Sequence, residues 1–289
     1  MTLVDNAGAS TSVRIQKLMF LYCMNAGSSA PYEFFPHEMG AYSRTLSDDY
    51  HALVRNGYLE FDGNRYIVSR SVLNEDYAVP ESISRTMASL GKAFSDKDDD
   101  TLIAFTYNRF PGYSVFSKIA DRLDLSDAYY KKVSAIRNKM ASQEKGLYTV
   151  GYEGRSIDKI LNILIAKGVT RLVDVRKNAF SMRYEFNKGY LSSVLGSSGI
   201  SYIHCPDVGI DSGKRNELLP DGRRRELFEW YSQNVLPANT GFVDDVASMV
   251  EEGSVAFLCY EKDDKDCHRS HLARFCCEQN KRIHFLGDI

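Results

Sequence analysis

The stretch LYTVGYEGRSIDKILNILIAKGVTRLVDVRK, residues 147–177, decides the fold. Tyr148-Thr-Val-Gly151 is a short β-prone run. Ser156 then stands where a helix N-cap belongs, and Ile157, Ile160, Leu161, Leu164 and Ile165 recur on one helical stripe. Gly168 stops that helix, and Arg171-Leu-Val-Asp-Val175 reads as the next strand. A strand, a helix and a strand in this order predict a right-handed crossover between parallel strands.

The alternation continues outward. Residues 190–195 fall in a second helix, Ser201-Tyr-Ile-His204 is a third strand, and 226–235 is another helix. Val255-Ala-Phe-Leu-Cys259 is a fourth strand, 268–278 a helix, and Arg282-Ile-His-Phe-Leu286 a last strand. The predicted class is α/β, a three-layer α/β/α domain around a mainly parallel sheet. Toward the N-terminus, residues 128–147 lose their apolar content. That places a domain boundary near 145 and divides the chain into 1–145 and 146–289.

The first half has a different texture. Val13, Ile15, Leu18, Met19, Leu21 and Tyr22 have helical spacing, and Leu46, Tyr50, Leu53 and Val54 repeat it before Asn56-Gly57. Tyr58-Leu-Glu-Phe61 and Tyr66-Ile-Val68 flank the turn Asp62-Gly63-Asn64 and predict a hairpin. A helix followed by such a hairpin outlines a winged-helix-like α+β domain, with a helical connector over 71–140. The acidic run 96–100 reads as charge at a helix N-terminus.

Among 289 residues, 36 are Lys or Arg and 38 are Asp or Glu, so bulk charge attracts no polyanion. A nucleic-acid partner must be met by a local patch. No run approaches the ~18 apolar residues of a membrane span. Residues 1–12 lack the basic start and apolar centre of a signal peptide, so a cytoplasmic location and no membrane contact are expected. Six cysteines, without a C-x-x-C pair, are expected to be reduced thiols. Cys267, His268, His271 and Cys276 or Cys277 come nearest to a metal set. They crowd into one helix, so buried cysteines and no metal are expected.

Ligands of a parallel sheet bind beyond the carboxyl ends of its strands, so residues that follow each strand belong to one rim. The first strand delivers Tyr152, Glu153 and Arg155. The second holds Asp174 and delivers Arg176 and Lys177. The third delivers His204, Cys205 and Asp207, and the fourth Tyr260, Glu261 and Lys262. Cys267, His268 and Arg269 open a helix, where backbone N–H groups and a basic side chain suit an anion. Each has a plainer role. Asp174 and Arg176 would pair with each other, Glu261 would cap the helix, and His204 would be a bonded core histidine. Cys267 is expected as a small buried residue rather than a nucleophile. Tyr152 and Tyr260 would either pack or stack on a base. The basic tract 214–225, with Lys214, Arg215, Arg223, Arg224 and Arg225, would be a solvated face or a grip on a phosphodiester backbone.

The residues carry a family resemblance. Val150-Gly-Tyr-Glu-Gly154, Asp174-Val-Arg176, Tyr202-Ile-His204 with Pro206 and Gly209, and Leu258-Cys-Tyr-Glu261 with Cys267-His-Arg269 resemble the prokaryotic family called domain of unknown function 488. The resemblance spans about residues 147–286 and implies an α/β/α domain whose motif residues line one site. Residues 179–188 depart from it, being aromatic and acidic where many relatives look shorter and more basic. Arg14-Ile-Gln-Lys-Leu-Met-Phe-Leu21 and Phe35-Pro-His-Glu-Met-Gly-Ala-Tyr-Ser43 resemble prokaryotic winged-helix modules with IQKL and FPxxxGxYS motifs. Tyr107-Asn-Arg-Phe-Pro-Gly-Tyr-Ser114 resembles an element that follows such modules and is expected to pack.

The expectation that follows is a nucleic-acid enzyme without a cofactor. Its partner is duplex DNA with an extruded base, and its reaction is that of a DNA glycosylase on modified bases, as in phage defence. Asp174, Glu261 and Glu153 are the candidate catalytic carboxylates, and Asp174→Asn is expected to abolish activity with the fold intact. Tyr152, Arg155, Arg176, Lys177, His204, Tyr260, Cys267, His268 and Arg269 are the candidate substrate contacts. Arg44, Arg55 and Arg65 join the basic tract as candidate DNA contacts. The alternatives are a nucleotide-sensing winged-helix regulator and a nucleotide hydrolase or nuclease. The absence of a P-loop or G-x-G-x-x-G disfavours an NTPase.

Overall fold

A computed structural model describes residues 10–69, 79–218 and 223–289. The chain divides into two compact units, Met1–Lys139 and Met140–Ile289.

In the first unit a short strand β1 (Ser10–Thr11) leads into α1 (Ser12–Ala26), whose cap Thr11 accepts from Arg14 N at 3.1 Å. The hairpin β2 (Phe35–His37) and β3 (Gly40–Tyr42) precedes α2 (Arg44–Arg55). Then β4 (Leu59–Phe61) and β5 (Arg65–Val68) pair antiparallel, and β1 adds to β5 as a third strand. Asp62 sets the hairpin turn by accepting from Asn64 N at 2.9 Å and Arg65 N at 2.7 Å. The order is thus helix, hairpin, helix, hairpin, an α+β arrangement with small antiparallel sheets. Three helices follow: α3 (Glu81–Ala93), α4 (Asp99–Arg109) and α5 (Asp127–Ala141). The acidic run serves α4, where Asp98 accepts from Thr101 N at 2.8 Å.

The two motifs of this unit are two sides of one contact. Gln16 exchanges a pair of 2.9 Å hydrogen bonds with the backbone of Ser43, and the buried Lys17 donates to the carbonyls of Met39 and Ala41. Gly40 is required by close approach: a Cβ there would sit 2.3 Å from the Tyr107 ring, and φ is +83°.

The second unit runs β6 (Leu147–Gly151), α6 (Ile157–Ala166), β7 (Val169–Asp174), α7 (Lys188–Ser197), β8 (Ser201–His204), α8 (Ser212–Leu218), α9 (Arg224–Asn234), α10 (Thr240–Glu252), β9 (Ser254–Cys259), α11 (His268–Gln279) and β10 (Phe285–Asp288). Its five strands are all parallel, in the order β10-β6-β9-β7-β8. Side chains of α9, α10 and α11 close one core with Val173, Val255 and Phe257, while α6 and α7 bury their own apolar stripes. The predicted α/β/α architecture stands. The sequence reading omitted α10, whose Val243, Val246, Ala247 and Val250 are buried at helical spacing. The last strand starts three residues later than expected, at Phe285, because Arg282 is held outside it by Asn280 and Glu251.

Candidate active site

From β7 the chain runs to β8 on one side of the sheet, and from β9 to β10 on the other. Neighbouring strands whose connections part in this way open a crevice at their carboxyl ends. Val175 N donates to Leu258 O across that point at 3.2 Å. Gly151, on the flanking strand, is a forced choice, since a Cβ there would lie 1.9 Å from the carbonyl oxygen of Glu261.

On the β7 side stands a closed polar network. Asp174 is fully buried and accepts from Arg176 N (3.1 Å), Arg176 Nε (2.8 Å), Arg176 Nη2 (2.6 Å) and Tyr202 OH (2.7 Å). Arg176 Nη1 donates to Tyr152 OH at 2.9 Å and Nη2 to the Phe186 carbonyl at 2.9 Å. Burial works against the Arg176 charge, but the Asp174 carboxylate outweighs it and raises the guanidinium pKa. Asp174 was expected to be catalytic. Its four accepted hydrogen bonds leave no lone pair for a water, so it is the anchor of Arg176 instead. Tyr152 and Arg176, expected to contact substrate, are buried and bonded to each other within this network. The Tyr152 ring is buried and stacked on Phe186, with centroids 4.2 Å apart and 13° between planes.

On the β9 side lies a cluster that the sequence reading did not assemble. Cys259 ends β9, and Cys267 and His268 open α11. All are buried, with their ligand atoms within 4.8 Å of one another. His268 Nε2 is 2.9 Å from the Val175 carbonyl, which can only accept, so Nε2 carries the proton and Nδ1 has the free lone pair. Nδ1 lies 3.8 Å from Cys259 Sγ and 3.9 Å from Cys267 Sγ. Glu261 roofs the cluster, with Oε2 3.2 Å from Cys259 Sγ and Oε1 accepting from Arg215 Nη1 at 3.1 Å. Arg215 Nη2 also donates to His268 Nδ1 at 3.2 Å. Burial opposes the Glu261 charge, yet Arg215 and the thiols hold its carboxyl down at about 2. A hydrogen bond from Cys267 holds the Cys259 thiol below the ordinary thiol range, while burial and Cys259 push Cys267 up. One signal for this cluster was available: Cys259 and Glu261 are two apart at a strand end and so point the same way.

The remaining candidates sort by exposure. Arg269 is fully buried and bonds Asp288 and the carbonyls of Glu261 and Lys262, which makes it a brace between β10 and the loop after β9. Arg155 Nη1 donates to the Ile289 carbonyl at 2.5 Å. His204 is half-buried on the edge strand β8, and its Nε2 bonds the Arg176 carbonyl at 3.0 Å. Glu153 is exposed, and its Oε2 accepts from Lys262 N at 3.0 Å. The Tyr260 ring stands edge-on to Tyr152 at 5.4 Å with 46% of its surface exposed, and the Glu153 charge raises its phenol pKa. Lys177 is exposed, 3.8 Å from Asp207. The departure at 179–188 presents Phe180 (68% exposed), Met182 (96%) and Tyr184 (55%) to solvent.

The basic tract is not a row of free cations. Lys214 pairs with Glu217, Arg215 with Glu261, Arg223 with Glu226, Arg224 with Asp266 and Arg225 with Glu229. Its residues 219–222 lie outside the described part of the chain. In the first unit, Arg55 and Arg65 are exposed, while Arg44 is half-buried over the Tyr42 ring. Between Arg44 and Arg55, α2 carries Asp48 and Asp49, which dilute its positive charge. Among the described residues no helix is long and apolar enough to cross a membrane.

Residues 156–276 match the family model described as "Domain of unknown function DUF488", and the second half of this chain is a domain of that family. No curated protein and no solved structure matches the chain.

Proposed function

We propose that this DUF488 domain hydrolyses the N-glycosidic bond of a nucleotide extruded from DNA, at the rim formed by the carboxyl ends of β6, β9 and β7. The observation that carries the reading is the pairing of Glu153 with Tyr260 on the rim. An exposed aromatic face for a base stands next to an exposed carboxylate whose orientation is fixed by Lys262 N. Glu153, one of the three candidate carboxylates, orients a water and offsets positive charge on the sugar as the bond to the base breaks. Tyr260 stacks on the extruded base. The exposed amines of Lys177 and Lys262 meet the flanking phosphates.

The exposed side chains after β7 support the same reading. Extrusion leaves a gap in the stack, and apolar wedges fill such gaps between base steps. Phe180 and Met182 have the size and exposure for that task.

The test is incubation of the full chain with duplexes that carry different base modifications, with products read by mass spectrometry. The reading expects a free base from the wild type and none from Glu153→Gln. A cut strand without a free base would replace it with a nuclease. Unchanged DNA with binding to one defined sequence would replace it with a regulator.

A further inference from the structure

We propose that Cys259, Cys267, His268 and Glu261 form a closed tetrahedral site for a zinc ion beneath the rim of the β7/β9 crevice. The inference is independent of the glycosidic reaction, which needs no Lewis acid. Three donors of the right kind are already together: two thiol sulfurs and an imidazole nitrogen within 4.8 Å of one another. Edges of 3.8 and 3.9 Å between Nδ1 and the two sulfurs suit ligands drawn to ~2.0–2.3 Å from a common centre. Glu261 stands outside this group of three, but its Oε2 is 3.2 Å from Cys259 Sγ, and a rotation of its side chain toward the ion would supply the fourth corner.

Two further features point to a metal rather than to packed cysteines. The first is the tautomer of His268. Its outer nitrogen donates to the Val175 carbonyl at 2.9 Å, the outer-shell bond by which ligating histidines are usually oriented, and it turns Nδ1 toward the thiols. The second is charge. Zinc with two thiolates and one carboxylate leaves a single negative charge. Arg215, 3.1 Å from Glu261 Oε1, neutralises it, so the whole group can be buried. Without the ion, Arg215 spends a second N–H on Nδ1 at 3.2 Å. Metal binding returns that lone pair to the ion and leaves the bond to Glu261 as the outer contact. The site would tie the end of β9 to the start of α11, which suits a structural ion with no open position.

The experiment is metal analysis of the full chain, purified under reducing conditions without added metal or chelator. Equimolar zinc is expected. Cys259→Ala, Cys267→Ala and His268→Ala should each lower occupancy by more than about tenfold. Cys276→Ala, a fully buried cysteine of the same helix outside the cluster, should retain it. Should a ligand variant fail to fold, cobalt titration of the chelated wild type decides. Tetrahedral d–d bands with a thiolate-to-cobalt charge-transfer band are expected. Wild type with no more zinc than the variants and no such cobalt spectrum would overturn the proposal. So would a Cys259–Cys267 disulfide in the freshly purified chain.

Discussion

Arg176 folds back onto Asp174, two residues earlier in the chain, so that Nε meets Oδ1 at 2.8 Å and Nη2 meets Oδ2 at 2.6 Å in parallel. Both side chains are buried, and such a pair holds its geometry better than it tolerates the loss of one member. Asp174→Asn leaves a buried guanidinium without its anion. It should destabilise the second unit by ~3–5 kcal/mol in urea unfolding. The double variant Asp174→Asn/Arg176→Met should recover much of that loss. An Asp174→Asn cost below ~1 kcal/mol would show that the pair is not a structural anchor and return Asp174 to the catalytic candidates.

Glu153 and Tyr260 should separate chemistry from binding. Glu153→Gln removes the carboxylate but keeps an acceptor for Lys262 N, so thermal stability should hold while base release falls by ~100-fold or more. Tyr260→Ala removes a stacking face worth ~1–3 kcal/mol, which should appear mainly as a higher KM. Equal turnover by Glu153→Gln and wild type would exclude Glu153 from the reaction.

Phe180 and Met182 matter only where a stack has to be opened. Phe180→Ser and Met182→Ser should slow release from duplex by about tenfold while leaving short single-stranded substrate unaffected. Both side chains are exposed, so neither change should lower the melting temperature. Parallel losses on duplex and single strand would give this loop a different task.

Periodicity exposed most of the sheet before any coordinates. β6, β7 and β9 are short runs rich in apolar residues, and α6 between β6 and β7 carries a clean stripe. The omitted α10 has such a stripe too, with Val243, Val246, Ala247 and Val250 at helical spacing and Asp244 and Asp245 exposed on the opposite face. The site was legible as a rim and illegible as chemistry. Strand ends say which residues share an edge, whereas depth decides which carboxylate is spent. Asp174 sits inside the layer and is saturated by Arg176 and Tyr202; Glu153 lies two residues past its strand and is exposed. Cys259 is hidden as a partner of Cys267 because the loop between β9 and α11, not helical spacing, brings them together.

Lys17 makes the first unit's stability rise with pH, in the same direction as a paired carboxylate but in a neutral-to-alkaline window. Its side chain is 2% exposed, its Nζ donates to the carbonyls of Met39 and Ala41, and burial lowers its pKa from 10.5 to about 7. The unfolded chain keeps the proton up to pH 10.5, whereas the folded chain releases it near 7. Between those values the unfolded state binds more protons, so stability rises with pH by ~1.4 kcal/mol per unit from this residue alone. Below pH 7 both states are charged and the burial penalty is carried in full; above 10.5 it is gone. Lys17→Met lacks the titration. It also strips a donor from two carbonyls, a pH-independent cost of ~1–3 kcal/mol for each group left unsatisfied. The quantity to measure is therefore the difference in urea stability between Lys17→Met and wild type at several pH values. That difference should move in favour of wild type by ~1.4 kcal/mol per unit above pH 7. A difference that stays constant from pH 7 to 9 would mean that the two carbonyls keep the buried amine charged.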